Sequence, residues 1–321
     1  MRLPDFIVIG AAKSGTTALC ADLALKDDVF VTTPKEPEFF ARDDRHAEGL
    51  ESYARLFEGA RPDQVCGEGS TLYTLSPHFP QTAARMARAV PDAKLVYMMR
   101  EPVSRAYSFY GQLVKNYQNA TRDLAVHRSF EDCLDPDAPR APRERFFAPF
   151  DAHYPDVPGI FLDGGDYPAQ IRAYLEHFPR ENLLFVTFEE FVRDPAAVMP
   201  RIHAHIGAAP VAPGASSPKA VNVASEHFDR ARVDRFAAGV TGKAPILRKV
   251  SRALPTGLRR TLRRQAFRAF GGGAAAADSS RPPKMRPETR AMLAARYAPQ
   301  RAELASLTGL DLDRWWGPAE G

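Results

Sequence analysis

The sequence predicts an α/β fold, a P-loop-like parallel sheet flanked by helices on both faces, from three observations. The apolar run Phe6 to Ile9 ends at Gly10 and is followed by helix formers from Thr16 to Leu25. The run Lys94 to Met99 reads as a buried strand, is broken by Arg100-Glu101-Pro102, and gives way to helical spacing from Val103 to Val114. A third run, Leu183 to Phe188, lies between helical stretches at Pro168 to Phe178 and Pro195 to Ile206. Strands that alternate with helices form parallel sheets whose crossovers cover both faces.

Each element has a local reason. Phe6 to Ile9 is β-branched and aromatic, and the glycine-bounded turn after it allows a sharp entry into the next helix. Val29 to Val31 is a short second strand. Pro102 suits the first turn of its helix, where the missing N–H costs nothing. Residues 134–165 are rich in Pro, Asp and Gly and read as a long loop, and 207–220 as a second irregular connection. Gly271 to Pro283 is low-complexity and reads as a flexible segment, Pro287 to Leu307 has helical spacing, and the chain closes near Trp315 and Trp316. There is no internal repeat.

The 321 residues, 45% of them apolar, suffice for a single domain over 1–321, with a basic helical insertion at about 240–270. No apolar stretch approaches the ~20 residues of a membrane span, and MRLPDFIVIG does not read as a signal peptide, so a cytoplasmic location is expected. Cys20, Cys66 and Cys133 are widely separated, which argues against a disulfide framework or a zinc site. The net charge of +4 is local in origin, because Lys243 to Arg268 holds nine basic residues and no acidic one. The chain as a whole does not read as a nucleic-acid binder.

The candidate site begins at GAAKSGTTAL, Gly10 to Leu19. Gly10 and Gly15 have the Walker spacing, but Thr16 stands where the Walker lysine belongs and the loop's lysine is Lys13. Backbone N–H groups from Ala12 to Thr17 at a helix start can nest a phosphate, with Ser14, Thr16 and Thr17 as added donors. A turn that merely caps a helix is the alternative. A kinase or NTPase would also call for an acidic residue to hold Mg²⁺ at the end of a neighbouring strand, where Lys94 to Met99 is followed by the cation Arg100. Lys35, Glu36 and Glu38 follow the second strand, and Ser108 lies eight residues beyond Arg100, two helical turns along the face near the same edge.

GAAKSGTTAL, KEPEFF, LVYMMREPVSRAYSFY and GDYPAQIRAYLEHFPRENLLFVTFEEFVRDP resemble, in order and spacing, the sulfotransferases that use 3′-phosphoadenosine 5′-phosphosulfate (PAPS). The likeness is to the bacterial enzymes and the heparan-sulfate sulfotransferase branch, and it covers most of residues 5–206. The C-terminal PETRAMLAARYAPQRAELASLTGLDLDRWW is similar to that group's closing helices. The resemblance implies a sulfotransferase fold and transfer of a sulfuryl group from PAPS, without a metal, to a hydroxyl or amine of an acceptor. It implies Lys13 at the oxygen bridging phosphate and sulfate, Gly15, Thr16 and Thr17 around the 5′-phosphate, and Arg100 with Ser108 at the 3′-phosphate. Glu36 falls at the catalytic base, with Glu38 as a competitor, and Arg281 or Lys284 would supply a late nucleotide contact.

One departure stands out. In GEGSTLYT, Gly67 to Thr74, that branch commonly carries a lysine near the sugar acceptor where this chain has Gly69. Elsewhere structural readings prevail: His203 and His205 are two apart on a helix and face different ways, Glu189 and Glu190 flank a helix start, and Trp315 and Trp316 pack. Lys35 either reaches the phosphosulfate or is solvated. The stretch 243–268 reads as a flap, a peripheral contact with the inner membrane surface, or a solvated cationic face. A nucleotide kinase and a noncatalytic nucleotide-binding module are the competing functions.

Overall fold

Five parallel strands in the order β2-β3-β1-β4-β5 form the centre of the protein, seen in a computed structural model that describes residues 1–76, 78–121, 128–135, 157–210 and 282–317. The strands are β1 (Phe6–Gly10), β2 (Val29–Val31), β3 (Val65–Gly69), β4 (Lys94–Met99) and β5 (Leu183–Thr187). The described residues belong to a compact unit of Met1–Ala220 with Pro282–Gly321, and the chain's other unit, Val221–Arg281, lies outside them. The expected basic insertion and Arg281 therefore also lie outside the described residues. No described helix is long and apolar enough to cross a membrane.

Strand alternation divides the core into two layers. Phe6, Val8, Val96, Met98 and Val186 pack with the helices Thr16–Leu23 and Pro195–Ile206. Ile7, Ile9, Leu95, Tyr97 and Phe185 point the other way, toward helices Pro102–Thr121, Tyr167–Leu175 and Pro287–Tyr297. Both faces are covered, as the alternation of strand and helix predicts.

Three elements depart from the sequence reading. β3 escapes it because VCGEG lacks a strand's usual run of bulky residues. Its Gly67 is required by close packing, since a Cβ there would collide with the backbone and ring of Phe6. The expected loop at 134–165 contains the helix Val157–Asp163, whose Ile160 and Phe161 are fully buried, with Phe161 packed edge-on against Phe109 and Phe130. Tertiary burial there outweighs a turn-rich composition. The stretch Pro287 to Leu307 is two helices, Pro287–Tyr297 and Arg301–Thr308, separated by a 3₁₀ turn through Pro299.

In this strand order the chain leaves β1 toward β2 on one side and leaves β4 toward β5 on the other. A crevice therefore opens between the carboxyl ends of β1 and β4, where α/β sheets place their ligands.

Candidate active site

The glycine turn forms one wall of that crevice. β1 carries an irregularity between Val8 and Gly10, and Ala11 N–H donates to Met98 O at 2.6 Å, which locks the turn to β4. Lys13 (φ 70°) and Gly15 (φ 87°) both adopt the left-handed conformation, so the chain reverses into the helix at Thr16. Glycine is needed at 15 twice over: its φ is positive, and a Cβ would lie 2.7 Å from the Phe188 ring. Having no side chain, Gly15 cannot cap the first-turn amides, and the fully buried Ser14 Oγ has no hydrogen-bond partner. Unused donors at a helix start suit an anion with several oxygens.

Arg100 forms the opposite wall. Its backbone is pinned by Tyr167, whose hydroxyl donates to Arg100 O at 2.6 Å and lies 3.3 Å from Arg100 N. The guanidinium donates to Lys13 O at 3.3 Å and lies 4.8 Å above the Phe188 ring, so one aromatic ring backs both Gly15 and Arg100. Behind them, Glu101 caps the helix Pro102–Thr121 through Val103 N and Ser104 N at 2.9 and 2.7 Å. Glu189 does not cap its own helix, which Thr187 does; it accepts from Glu101 N at 3.1 Å and from the Trp316 indole at 2.9 Å. Burial raises its carboxyl above the usual range.

Lys13 points across the crevice to Gln112 Oε1 at 3.1 Å. Its ammonium is pushed down to about 8, chiefly by burial and then by the like charges of Lys115 and Arg100, with Glu36 acting in the opposite sense. Ser108 is half-buried and precedes Gln112 by four residues, so the two share a helix face turned toward the turn.

The third wall is the segment after β2. Glu36, 34% exposed, accepts from Lys35 Nζ at 2.7 Å and from Thr71 Oγ1 at 3.1 Å. Lys35 also donates to Thr16 Oγ1 at 3.3 Å, joining this segment to the glycine turn. Glu38 interacts electrostatically with Arg42. At Gly69 a Cβ would come within 2.7 Å of Cys20 Sγ and 3.3 Å of Lys35 Cε, so Lys35 crosses the space a longer side chain would need.

The structure thus brings Lys13, Ser14, Gly15, Thr16, Lys35, Glu36 and Arg100 together, with Ser108 on the flanking helix, Thr17 exposed in the first turn of the helix Thr16–Leu23, and Lys284 exposed just ahead of the helix Pro287–Tyr297. Gln112, Phe188, Tyr167, Thr71 and Glu68 are additions to the sequence reading. Gln112 was legible as the position one turn beyond Ser108; the others depend on contacts between distant segments. His205 Nε2 lies 3.2 and 3.1 Å from the carbonyls of Leu95 and Asn182, while His203, on the same helix, is buried with neither ring nitrogen hydrogen-bonded.

Residues 3–216 match the family model described as sulfotransferase domain. The chain is 31% identical over 219 residues to the human bifunctional heparan sulfate N-deacetylase/N-sulfotransferase 3, covering 65% of this chain and 23% of that protein. It is 30% identical over 206 residues to the mouse heparan sulfate glucosamine 3-O-sulfotransferase 3B1, covering 64% and 46%. It therefore spans less than half the length of either relative. The crystal structure of a sulfotransferase from Alicyclobacillus acidocaldarius superposes with a TM-score of 0.64 at 26% identity, over 98% of this chain and 100% of that one.

Proposed function

Because the chain belongs to the sulfotransferase family, we propose that it moves the sulfuryl group of PAPS to a hydroxyl or amine of an acceptor by in-line displacement. The acceptor class we favour is a carbohydrate, a glycolipid or another small metabolite. The observation that carries this reading is the convergence of Lys13, Arg100 and Glu36 on one crevice, around a turn whose buried Ser14 hydroxyl is unused. An unpaired buried donor beside a side-chain-free Gly15 fits a phosphate group.

When bound, PAPS supplies the activated sulfuryl group. Ser14, Thr16, Thr17 and the turn amides would hold the 5′-phosphate, and Arg100 with Ser108 the 3′-phosphate, for which a guanidinium fork suits a dianion. Lys13 would neutralise charge on the departing oxygen. Glu36 would take the proton from the attacking hydroxyl or amine.

A nucleotide kinase is disfavoured by what flanks β1. β4 is followed by Arg100, and Glu101 is spent capping its helix. Glu68, at the end of β3, is fully buried with Tyr53, Tyr73 and Ser70 on its oxygens. A noncatalytic binding module would gain nothing from Glu36 beside an anionic ligand.

A thermal melt tests the donor. PAP at ~100 Kd should stabilise the protein by about 2.7 kcal/mol, with AMP at the same concentration giving much less. Arg100→Ala should erase most of the difference. Equal shifts from PAP and AMP would remove the 3′-phosphate site.

Lys13 adds a pH signature. With its ammonium held down to about 8, half of the free protein carries a neutral Lys13 at that pH. An anion in the turn favours the charged form, so PAP binding should take up about 0.5 proton at pH 8 and less at pH 6.5. Calorimetry in buffers of differing ionisation enthalpy measures this, and uptake that persists in Lys13→Ala would assign it to another group.

A further inference from the structure

Beneath the crevice, Glu68 is fully buried on β3 and has no ion-pair partner within contact distance among the described residues. Its Oε1 accepts from Tyr73 at 2.6 Å and Tyr53 at 3.1 Å, and its Oε2 accepts from Ser70 at 2.8 Å. A buried carboxylate is costly unless its lone pairs are used, and three hydroxyls converge here to use them. The rings of the same tyrosines carry the aromatic pair that follows Glu36. Phe39 stacks on Tyr53 at 4.5 Å, and Phe40 packs against Tyr53 at 5.1 Å and Tyr73 at 5.7 Å.

The residues just after Glu68 are tied to the segment Lys35 to Glu38 at three successive positions. Gly69 N–H donates to Lys35 O, the Ser70 hydroxyl oxygen accepts from Glu38 N–H, and the Thr71 hydroxyl donates to Glu36 Oε2, each at 3.1 Å. Glu38 holds a positive φ of 58°, an uncommon conformation for a side-chain-bearing residue, and its amide is the one bound by Ser70. Because the Ser70 proton points to Glu68, the Ser70 lone pairs are free for that amide.

We propose that Glu68 is a positioning residue: through Ser70 and the paired tyrosines it fixes the chain from Lys35 to Phe40 and so holds the Glu36 carboxylate at the edge of the phosphate turn. The proposal rests on Glu36 being the base, but its structural half can be read without turnover.

Protonation gives it a second signature. Burial pushes the Glu68 carboxyl up to about 7, against the lowering effect of its three hydroxyl donors and of Lys35. Of the other groups facing it, Tyr53, Tyr73 and Tyr174 are held well above their usual range and Cys20 is raised to about 12, so none of these four titrates near neutrality. Below about pH 7 the added proton displaces one hydroxyl donor and loosens the anchor; above it all three are engaged. The rate should therefore rise with pH through this range.

The test uses the full chain with Glu68→Gln and Ser70→Ala. In Glu68→Gln, kcat for sulfuryl transfer from PAPS should fall about 10- to 100-fold, the cost of a base displaced by a fraction of an ångström to one ångström. PAP affinity should stay within about twofold, as expected when an interaction specific to the chemical step is lost. The inflection near pH 7 should disappear, because glutamine does not titrate. Ser70→Ala leaves Glu68 and both tyrosines in place and keeps the test sound if Glu68→Gln does not fold; it should lower kcat in the same direction. In both, hydrogen exchange at the Glu38 amide should accelerate at least about tenfold, since its acceptor is lost or misaligned. Native exchange at Glu38 with unchanged kcat in Ser70→Ala overturns the positioning role. If the unaltered chain transfers nothing from PAPS, the proposed function fails, and the exchange data still decide whether Glu68 and Ser70 fix the segment.

Discussion

Glu36→Gln is expected to lower kcat about 100-fold or more while nucleotide affinity changes little, because general base catalysis is worth about 10²–10⁴ and glutamine cannot accept the proton. The substitution keeps the shape of the site. A glutamine carbonyl can still accept from Thr71 or Lys35, which donate to the two oxygens of Glu36 at 3.1 and 2.7 Å. The loss should therefore be chemical. PAP release measures turnover, and calorimetry with PAP measures binding. Glu38→Gln is the control, because Glu38 shares the segment but its backbone is bound to Ser70 and it interacts electrostatically with Arg42. If Glu36→Gln retains near-full kcat and Glu38→Gln is dead, the base has been misassigned while sulfuryl transfer stands.

Lys13→Ala should fail in a different way. Removing the cation lowers kcat by about 10²–10³, the usual cost of losing one group that stabilises developing negative charge, and weakens PAPS binding as well. The backbone reinforces this expectation: Lys13 sits at φ 70°, held by the guanidinium of Arg100 on its carbonyl, so the side chain is delivered into the crevice by the turn itself. Its ammonium rests on Gln112 at 3.1 Å, a neutral partner it can leave for a charged one. Single-turnover rates at saturating PAPS separate the chemical defect from the binding defect. A variant that binds PAPS normally but turns over slowly would confine Lys13 to the chemical step, and a normal rate at saturation would confine it to binding.

The parts of this site that lay open in the sequence are those written in consecutive residues. The turn from Gly10 to Thr17 announces itself by an apolar run, two spaced glycines and hydroxyl side chains, and Arg100 by its position just past a buried run. What stayed hidden is held by partners far along the chain. β3 is masked by Gly67 and Gly69, which are glycines because Phe6, Cys20 and Lys35 press against them. Tyr167 reads as one more aromatic at a helix start until its hydroxyl is seen on both backbone groups of Arg100, 67 residues away. Glu68 was visible within GEGSTLYT, yet nothing local distinguishes a buried anchor from a solvated acid. The helix Val157–Asp163 was concealed for the opposite reason, since Pro and Gly argued for a loop and only burial against Phe109 and Phe130 argues otherwise.

The brace behind Arg100 bears on what counts as a minimal folding piece. The family match ends at residue 216, but the turn that carries Arg100 leans on residues well beyond it. Trp316 donates to Glu189, which receives Glu101 N–H; Tyr297 donates to Leu162 O at 2.7 Å; Arg172 pairs with Glu303; Arg180 reaches Thr308 O at 3.2 Å. A fragment cut at 216 would keep the whole span of the family match, yet it would open the hydrophobic layer under Tyr167 to water and leave the Glu189 carboxylate short of a donor. The matched span and the cooperative unit are thus different lengths of chain: the closing helices lie beyond the family match, and the turn at Arg100 still leans on them.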